Sequence, residues 1–509
     1  MLGLVQSAGL YGLEGYPVAV ECALSPGLPR LDVVGLPDTA VREAGDRVRA
    51  AVQNSGYAFP VSRITVNLAP ADTRKEGSLY DLPILLSILA ASGQLAAPLP
   101  PDSAFLGEVS LGGVVRPISG ALSMAMALAQ RGVRQLYLPA ENGPEAALAS
   151  EHMAVYPVPS LPALLAHLEG RVPLTPSVAP AYRPQWPEEQ DFAFVMGQEQ
   201  VKRALEVAAS GGHNILLCGS PGSGKSLMAK CLQSILPPLS RPEWLEVVRI
   251  HSVCGEGARA ARRGSRPFLT VHHTASPASL VGGSGQAGRL PRPGQISQAH
   301  HGVLFLDELP EFRRDTLEAL RQPMEDGRVT ISRVAGTVTY PSRFMLVCAM
   351  NPCRCGWYGH PSGRCRCTKE QVRQYLSRLS GPLLDRIDLQ VDVQPVEYEA
   401  LRRRERGEPS AAIRQRVLAA RARQRARMAG TGIQANAYIP PARMAQFCPL
   451  TDGAEEMMRQ AFDRLGLTAR AHDRVLRVAR TIADLDGAER IDAPHVAEAI
   501  QYRSLERRA

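Results

Sequence analysis

The chain has 509 residues, 45% apolar and 21% charged, so we expect a folded protein of about three domains. Its 58 lysines and arginines exceed its 49 acidic residues, and the net charge of +9 favours polyanions as partners. The longest uncharged apolar run, 82–93, is shorter than the ~20 residues of a membrane helix, so no membrane contact is expected. The first residues do not resemble a secretion signal, which predicts a cytoplasmic protein.

Residues 1–170 alternate strand-like and helical segments. "ITVNLAP", "SAFLGEVSL" and "RQLYLPA" have the character of strands, whereas "DTAVREAGDRVRAAVQNSG" and "ISGALSMAMALAQRG" have helical spacing and end at glycine. This pattern predicts a compact α/β or α+β domain. Prolines then recur through 171–190 without any apolar period, and we interpret this segment as a linker.

Residues 191–393 alternate helices with buried strands, which predicts an α/β domain with a mostly parallel sheet. "GSPGSGKS" follows the apolar strand "NILLC" and precedes the helix "LMAKCLQSIL", as a phosphate-binding loop requires. In such a loop the lysine supplies charge to the β- and γ-phosphates of ATP, and the serine hydroxyl ligates Mg²⁺. The predicted nucleotide-binding residues are Gly219, Ser220, Pro221, Gly222, Ser223, Gly224, Lys225 and Ser226.

The segment "GVLFLDELPEF" is an apolar strand that ends in two acidic residues. Asp307 is placed to hold Mg²⁺ and Glu308 to act as the base that activates water. Because this segment and the phosphate-binding loop occur together, the sequence predicts ATP hydrolysis with ATP and Mg²⁺ as cofactors.

Two further polar residues are candidates for the same reaction. Asn351 ends the strand "RFMLVCAMN", where it could orient the attacking water or simply cap the strand. Arg386 lies among apolar residues in "SGPLLDRIDLQVDV", and a cation there needs an anionic partner. That partner is either the ATP of a neighbouring subunit or a local carboxylate, Asp385 or Asp388.

The stretch "MEDGRVTISRVAGTVTYP", 324–341, has the alternation of a β-hairpin around Ala335-Gly336. Arg328 and Arg333 are candidates for contact with nucleic-acid phosphates. The alternatives for each arginine are a pair with Glu325 or Asp326, or a contact with an adjacent subunit.

The insertion 353–367, "CRCGWYGHPSGRCRC", contains two C-x-C pairs formed by Cys353, Cys355, Cys365 and Cys367. Four thiolates in a loop rich in glycine could bind a structural Zn²⁺, and free surface thiols are the alternative. His360 could replace one ligand, although a solvent-facing histidine is the simpler interpretation. Residues 394–509 are helical and basic, with last helices whose apolar spacing predicts the core of a lid.

Several of these segments together resemble one family, the ComM/YifB competence-associated proteins of the magnesium-chelatase-like AAA+ ATPases. The segments that carry the resemblance are "GHNILLCGSPGSGKS", "AHHGVLFLDELPEF", "NPCRCG", "LSGPLLDRIDL" and "LTARAHDRVLRVARTIADL". The resemblance implies an AAA+ core with a helical lid in a hexameric ring. It also implies that Asn351 is sensor 1, that Arg386 is an arginine finger acting on a neighbour, and that Arg470 is the sensor 2 arginine that the lid presents to its own nucleotide. Gln295 departs from the glutamate usual in the family, at a position outside the phosphate contacts.

The resemblance further implies that the hairpin projects toward the pore of the ring, and that residues 1–170 have a Lon-protease-like (S5-type) α+β fold. Proteolysis of the Lon type needs a serine and a lysine. Leu79 and Leu122 occupy those two positions and cannot ionise, and Ser78 lies one place away from the first. An inactive protease domain that serves assembly or nucleic-acid binding is therefore expected.

The function predicted from these features is an ATP-driven hexameric DNA motor with helicase or branch-migration activity. Its partner would be single-stranded, forked or branched DNA in natural transformation or homologous recombination, with a recombinase as a candidate protein partner. The alternatives are a remodelling chaperone or a metal-insertion ATPase like magnesium chelatase, and, less favoured because of Leu79 and Leu122, an ATP-dependent protease.

Overall fold

The computed structural model describes residues 2–283, 290–334, 336–395 and 406–503. The strands of the N-terminal unit are β1 (Leu2–Tyr11), β2 (Glu14–Ser25), β3 (Arg30–Val34), β4 (Arg63–Ala69), β5 (Ser103–Phe105), β6 (Glu108–Val109), β7 (Val115–Arg116), β8 (Gln135–Pro139) and β9 (Ala154–Val158). Seven of them form one mixed sheet in the order β3-β4-β2-β1-β5-β8-β9, and β6 and β7 form a separate ribbon. All segments that the sequence predicts as strands in this unit are strands.

The helices of this unit are α1 (Thr39–Arg42), α2 (Ala44–Asn54), α3 (Asp81–Ala91), α4 (Ala121–Gln130), α5 (Gly143–Ala146) and α6 (Leu161–Leu168). Helix α3 carries most of the long apolar run and is buried almost all round, because it is apolar on every face and packs against β1 and β2. None of the helices in the described ranges combines the length and apolar character needed to cross a bilayer.

The proline-rich segment 171–190 contains no helix or strand and packs along the unit that follows it. The indole N–H of Trp186 donates to the carbonyl of Leu236 at 2.9 Å, and the hydroxyl of Tyr182 donates to the carbonyl of Leu239 at 2.6 Å. The Trp186 ring also lies 4.2 Å from the guanidinium carbon of Arg414. The segment is therefore anchored by its aromatic side chains.

The second unit is built on five parallel strands in the order β11-β14-β17-β10-β18, as the alternation of helices and buried strands predicts. A hairpin and a short ribbon complete its strands. The strands are β10 (Ile215–Gly219), β11 (Phe268–Val271), β12 (Gly282–Gly283), β13 (Arg292–Pro293), β14 (Val303–Leu306), β15 (Arg328–Arg333), β16 (Gly336–Pro341), β17 (Met345–Met350) and β18 (Leu389–Val393).

Helices cover both faces of this sheet, which explains why its strands are apolar on both sides. They are α7 (Glu199–Gly211), α8 (Lys225–Ile235), α9 (Arg241–Val253), α10 (Gly257–Arg262), α11 (Pro277–Val281), α12 (Gln295–Gln298), α13 (Arg314–Glu318), α14 (Arg321–Asp326), α15 (Lys369–Leu376) and α16 (Gly381–Leu384).

The C-terminal helices form the lid. They are α17 (Ser410–Arg427), α18 (Met444–Phe447), α19 (Asp452–Leu465), α20 (Ala469–Asp486) and α21 (Ala493–Gln501). Helix α20 packs against α7 and α17, and Val475, Val478 and Ile482 join the same buried cluster as β10. The lid thus shares its core with the sheet.

Candidate nucleotide-binding and hydrolysis site

The phosphate-binding loop lies between β10 and α8, at the carboxyl end of a central strand. Gly222 and Gly224 adopt φ values of 78° and 85°, a left-handed conformation that glycine adopts without strain. The ammonium group of Lys225 donates to the carbonyls of Gly219 and Ser220 at 2.8 and 2.9 Å. Burial lowers the pKa of Lys225 below its usual value. The loop therefore holds its lysine over the position where phosphates bind.

Ser226 and Asp307 bring two hard oxygen ligands together. The Ser226 hydroxyl donates to Oδ2 of Asp307 at 2.6 Å, although the two residues lie on neighbouring elements far apart in sequence. A hydroxyl beside a carboxylate is the donor set that Mg²⁺ takes in phosphate-binding sites, so these residues fit that ion.

Glu308 follows Asp307 with a left-handed backbone, φ 54°, which turns its side chain away from the strand. Its carboxylate lies 3.2 Å from Nδ1 of His273. No motif in the sequence points to His273, which stands just past the carboxyl end of β11. The signal that could have found it is a polar residue after a strand that ends at this same edge of the sheet.

Asn351 lies at the carboxyl end of β17, between the strands that carry the two motifs. Its side-chain oxygen accepts a hydrogen bond from Lys225 at 3.2 Å. Because β10, β14 and β17 are parallel neighbours, their carboxyl ends meet, and Asn351 lies beside Lys225 at the same edge as the Asp307-Glu308 pair.

Arg386 and Arg470 lie on the opposite edge of the sheet. They line a cavity of about 650 Å³ together with Asn214 and Phe344, which directly precede β10 and β17. The strand β10 has five residues, about 16 Å, between this edge and the phosphate-binding loop. The length of this strand therefore separates both arginines from the phosphate-binding loop.

The position of Arg470 differs from the expectation that the lid presents it to the nucleotide of its own subunit. The reason is the docking of the lid. Helix α20, which begins beside Arg470, packs on α7 and on the amino end of the sheet rather than over the phosphate-binding loop.

Arg386 has a local acidic partner, but not one of the two weighed from the sequence. It pairs with Glu325, and its guanidinium also donates to the carbonyl of Pro382 at 2.5 Å. Asp388 instead pairs with His213 and Arg474. The Nε of Arg386 is buried and has no hydrogen-bond acceptor.

The hairpin formed by β15 and β16 directly precedes β17, and it packs on the core through Val329 and Ile331. Arg328 and Arg333 are both exposed, and neither forms an ion pair within the described part of the chain. They stand at opposite ends of β15 and on opposite faces, because they are an odd number of positions, five, apart in the strand. Ala335 lies outside the described residues.

The N-terminal unit holds the hairpin in place. The hydroxyl of Tyr11 donates to the carbonyl of Thr337 at 3.2 Å, and a Cβ on Gly12 would lie 2.4 Å from Val338. The guanidinium of Arg249 donates to the carbonyl of Leu13 at 3.0 Å, which fixes the same turn to α9. The turn between β1 and β2 therefore sits between the hairpin and α9.

The four cysteines of the insertion form one cluster, with their sulfur atoms all within 4.8 Å of one another. The Cys353–Cys355, Cys355–Cys365 and Cys353–Cys365 sulfur pairs are 3.4, 3.6 and 3.9 Å apart. Four sulfurs around Zn²⁺ at about 2.3 Å would be separated by about 3.8 Å, so the cluster fits this ion. The backbone N–H of Trp357 lowers the pKa of Cys355 to about 6, whereas the pKa values of Cys365 and Cys367 are raised within the cluster.

His360 lies outside this cluster and bonds to the Ser362 hydroxyl at 2.7 Å. The cluster lies beside the nucleotide site: a Cβ on Gly356 would stand 2.6 Å from the Pro221 ring. The insertion therefore packs on the phosphate-binding loop.

Another group of side chains that could ligate a metal consists of Glu246, His300 and His301. Hydrogen bonds, and not a metal, hold this group together. Nδ1 of His300 accepts the backbone N–H of Arg343 at 3.0 Å, so the ring proton lies on Nε2. That Nε2–H donates to Glu246 at 3.0 Å. A protonated nitrogen cannot ligate a metal, and the group is a structural one.

The N-terminal unit offers no serine–lysine pair at the positions compared with Lon proteases. Leu122 is buried against Trp244 of α9, and Leu79 is half-buried in the core. The Ser78 hydroxyl donates a hydrogen bond to Glu108, a carboxylate that also pairs with Arg116.

Gln295 begins α12, away from the phosphate-binding loop.

The arginines of α17 are largely used within the fold. Arg416 pairs with Glu206 and Glu408, and Arg427 pairs with Asp484 at 2.6 Å. The basic character of this helix therefore reflects its attachment to the core and the lid more than a phosphate-binding face.

Comparison with known proteins agrees with this geometry. A model of the magnesium chelatase subunit ChlI matches residues 191–401, a second ChlI model matches 20–142, and the ChlI C-terminal model matches 407–503. The fold and the site thus define a magnesium-chelatase-like AAA+ protein.

Relatives match over nearly the whole chain. The uncharacterized YifB proteins of Salmonella typhimurium and Escherichia coli are each 43% identical, over 507 and 513 residues, which cover 99% of this chain and 98% of theirs. The competence protein ComM of Haemophilus influenzae is 41% identical over 511 residues, with the same coverage. The chain belongs to the ComM/YifB family.

Proposed function

We propose that this protein is an ATP-hydrolysing motor that works in the cytoplasm as a hexameric ring on single-stranded, forked or branched DNA. The observation that carries the proposal is the division of reactive residues between the two edges of one sheet. Lys225, Asp307 and Glu308 lie at the carboxyl edge, whereas Arg386 and Arg470 lie at the amino edge. A complete site therefore needs two subunits.

Within one subunit, the bound triphosphate replaces the carbonyls that Lys225 now contacts. Glu308 accepts the proton of the attacking water, and Asn351 orients that water against the γ-phosphate. Ser226 and Asp307 hold Mg²⁺, which when bound neutralises charge on the phosphate oxygens.

The neighbouring subunit completes the site with Arg386, which stabilises charge that develops on the γ-phosphate, and with Arg470 beside it. For this step Arg386 exchanges Glu325 for the phosphate. The exchange trades one ion pair for another, so the cation is never left buried and unpaired.

Three features support DNA as the substrate. Arg328 and Arg333 are exposed on the hairpin, the chain has a net charge of +9, and one relative is a competence protein. A competence protein supports a role in natural transformation or homologous recombination, where a recombinase would be the protein partner.

We expect single-stranded or forked DNA to stimulate ATP hydrolysis and the protein to unwind forked and Holliday-type substrates. Replacing Arg328 and Arg333 with alanine should abolish the stimulation and leave basal hydrolysis intact. It should also reduce the salt dependence of DNA binding, by about 0.7 in slope for each lost contact to a single strand. Turnover with and without DNA, and binding at several salt concentrations, measure both effects.

Arg443→Ala combined with Arg464→Ala is the matched control, since both arginines are exposed on the lid. Unchanged stimulation in the hairpin variant would remove the hairpin from DNA binding. Stimulation by unfolded protein or porphyrin precursors, but not by DNA, would instead favour a remodelling chaperone or a metal-insertion ATPase, which the match to magnesium chelatase supports.

We also propose that the four cysteines hold a structural Zn²⁺, which when bound closes the insertion onto the phosphate-binding loop. The purified protein should contain about one zinc per chain. Chelation, or Cys355→Ser with Cys367→Ser, should lower the melting temperature and weaken ATP binding, since Gly356 rests on Pro221. Elemental analysis, calorimetry and nucleotide titration test this.

Cys254→Ser is the control, because Cys254 lies outside the cluster. A zinc content far below one per chain after preparation without chelators would leave the free-thiol alternative.

The N-terminal unit, in turn, is proposed to be a non-proteolytic Lon-like domain that serves assembly and positions the hairpin through Tyr11.

A further inference from the structure

We propose that His213 is a positioning residue that ties the lid to the segment carrying Arg386, so that the lid of one subunit controls ATP hydrolysis in its neighbour. The inference rests on the proposed function and adds a residue that the catalytic motifs do not include. His213 lies between α7 and β10, at the edge of the sheet opposite the phosphate-binding loop.

Both ring nitrogens of His213 form hydrogen bonds, and its side chain is fully buried. Nδ1 lies 3.2 Å from Oδ2 of Asp388, two residues after Arg386. Nε2 lies 2.8 Å from the hydroxyl of Thr481, which is on the lid helix α20. The imidazole therefore bridges the arginine-finger segment and the lid.

The neighbouring Asn214 fixes the same segment to the sheet. Its side-chain N–H donates to the carbonyl of Arg386 at 3.0 Å, and its side-chain oxygen accepts the backbone N–H of Leu346 at 2.8 Å. The backbone N–H of Asn214 also donates to Asp388 at 3.3 Å. The backbone of Arg386 is thus held by Asn214, and the carboxylate of Asp388 is held by both His213 and Asn214.

The lid reaches this segment by a second contact. Arg474, one turn into α20, lies 3.7 Å from the Asp388 carboxylate. Asp388 has a pKa below its usual value: burial alone would raise it, but the hydrogen bond and the charge of His213 lower it. The carboxylate of Asp388 therefore contacts both His213, which precedes β10, and Arg474 of the lid.

The packing around the bridge leaves little room for movement. A Cβ on Gly211 would lie 2.1 Å from Nε2 of His213 and 2.6 Å from the Thr481 hydroxyl. Because α20 cannot shift without changing this contact, a lid movement that follows nucleotide binding is passed to Asp388 and so to the backbone of Arg386. Each subunit would thereby report its nucleotide state to the next site.

The experiment locates the defect within the ring. Thr481→Val removes the bond to His213 together with the hydroxyl's contacts to Asn436 and to the carbonyl of Arg477, both within the lid. His213→Asn keeps a donor for Asp388 while losing the contact to Thr481. Each variant alone should lower kcat by roughly 2- to 30-fold, with little change in KM. Mixing each with Glu308→Gln subunits, which bind ATP without hydrolysing it and have an intact finger segment, should raise kcat per hydrolysis-competent subunit.

Arg386→Ala mixed in the same way is the reference, and Ser87→Ala is the control for loss of a buried hydroxyl elsewhere. If Arg386→Ala is rescued but neither Thr481→Val nor His213→Asn is rescued, the inference about His213 is overturned and the two-subunit site stands. Failure to rescue Arg386→Ala would overturn the two-subunit site and this inference with it. Melting temperatures and ring assembly, measured for every variant, show whether each subunit is folded, and Thr481→Val keeps the test valid if His213→Asn does not fold.

Discussion

Replacing Glu308 with glutamine should leave ATP binding intact and lower turnover by about 10²- to 10⁴-fold, the usual contribution of a general base. The amide has the size of the carboxylate but cannot take the proton of the attacking water. Lys225, Ser226 and Asp307 are unchanged, so the triphosphate still binds. The expected product is an ATP-bound ring that does not turn over.

The measurement is ATP binding by titration beside steady-state hydrolysis. Glu311→Gln is the matched control, because Glu311 is an exposed carboxylate in the turn after Asp307-Glu308 and pairs with Arg378 at 3.2 Å. Hydrolysis at the normal rate by Glu308→Gln would show that another group is the base.

Replacing Arg386 with alanine should lower hydrolysis by about 10³- to 10⁵-fold, the range known for arginine fingers. The physical reason is the loss of a cation beside the γ-phosphate of the neighbouring subunit. Since the defect lies in the subunit that supplies the finger, mixing Arg386→Ala with Lys225→Ala subunits should restore activity at the mixed contacts. Steady-state hydrolysis at several mixing ratios measures this rescue.

Glu325→Gln separates the catalytic role from the local ion pair. If the pair with Glu325 were the whole function of Arg386, this substitution would cost as much as Arg386→Ala. We expect it to retain hydrolysis, because the finger leaves Glu325 when it contacts phosphate. Absence of rescue in the mixed rings would show that Arg386 acts on the nucleotide of its own subunit. That result would contradict the proposed two-subunit site, in which about 16 Å of strand separates Arg386 from the phosphate-binding loop.

The hairpin shows how the two units depend on each other. Its arginines are exposed, but its tip and outer strand contact the turn between β1 and β2 through Tyr11 and Gly12. A movement of the hairpin along DNA would therefore also move the N-terminal unit. In the proposed function, this contact gives the N-terminal unit a role in positioning the hairpin.

The sequence alone determined the phosphate-binding loop, the Asp307-Glu308 pair, Asn351 and the four-cysteine cluster. The reason is that these features are short contiguous motifs, or residues at the ends of parallel strands, whose carboxyl ends must meet at one edge. The cysteines are likewise brought together within one short insertion.

Only the tertiary structure decided what surrounds Arg386, Glu308 and Arg470. The pairing of Arg386 with Glu325, the contact of His273 with Glu308 and the position of Arg470 all depend on how separate elements pack. The bridge from His213 to Thr481 spans 268 residues of sequence. No local pattern encodes such a contact, because it is set by the docking of the lid against the amino edge of the sheet.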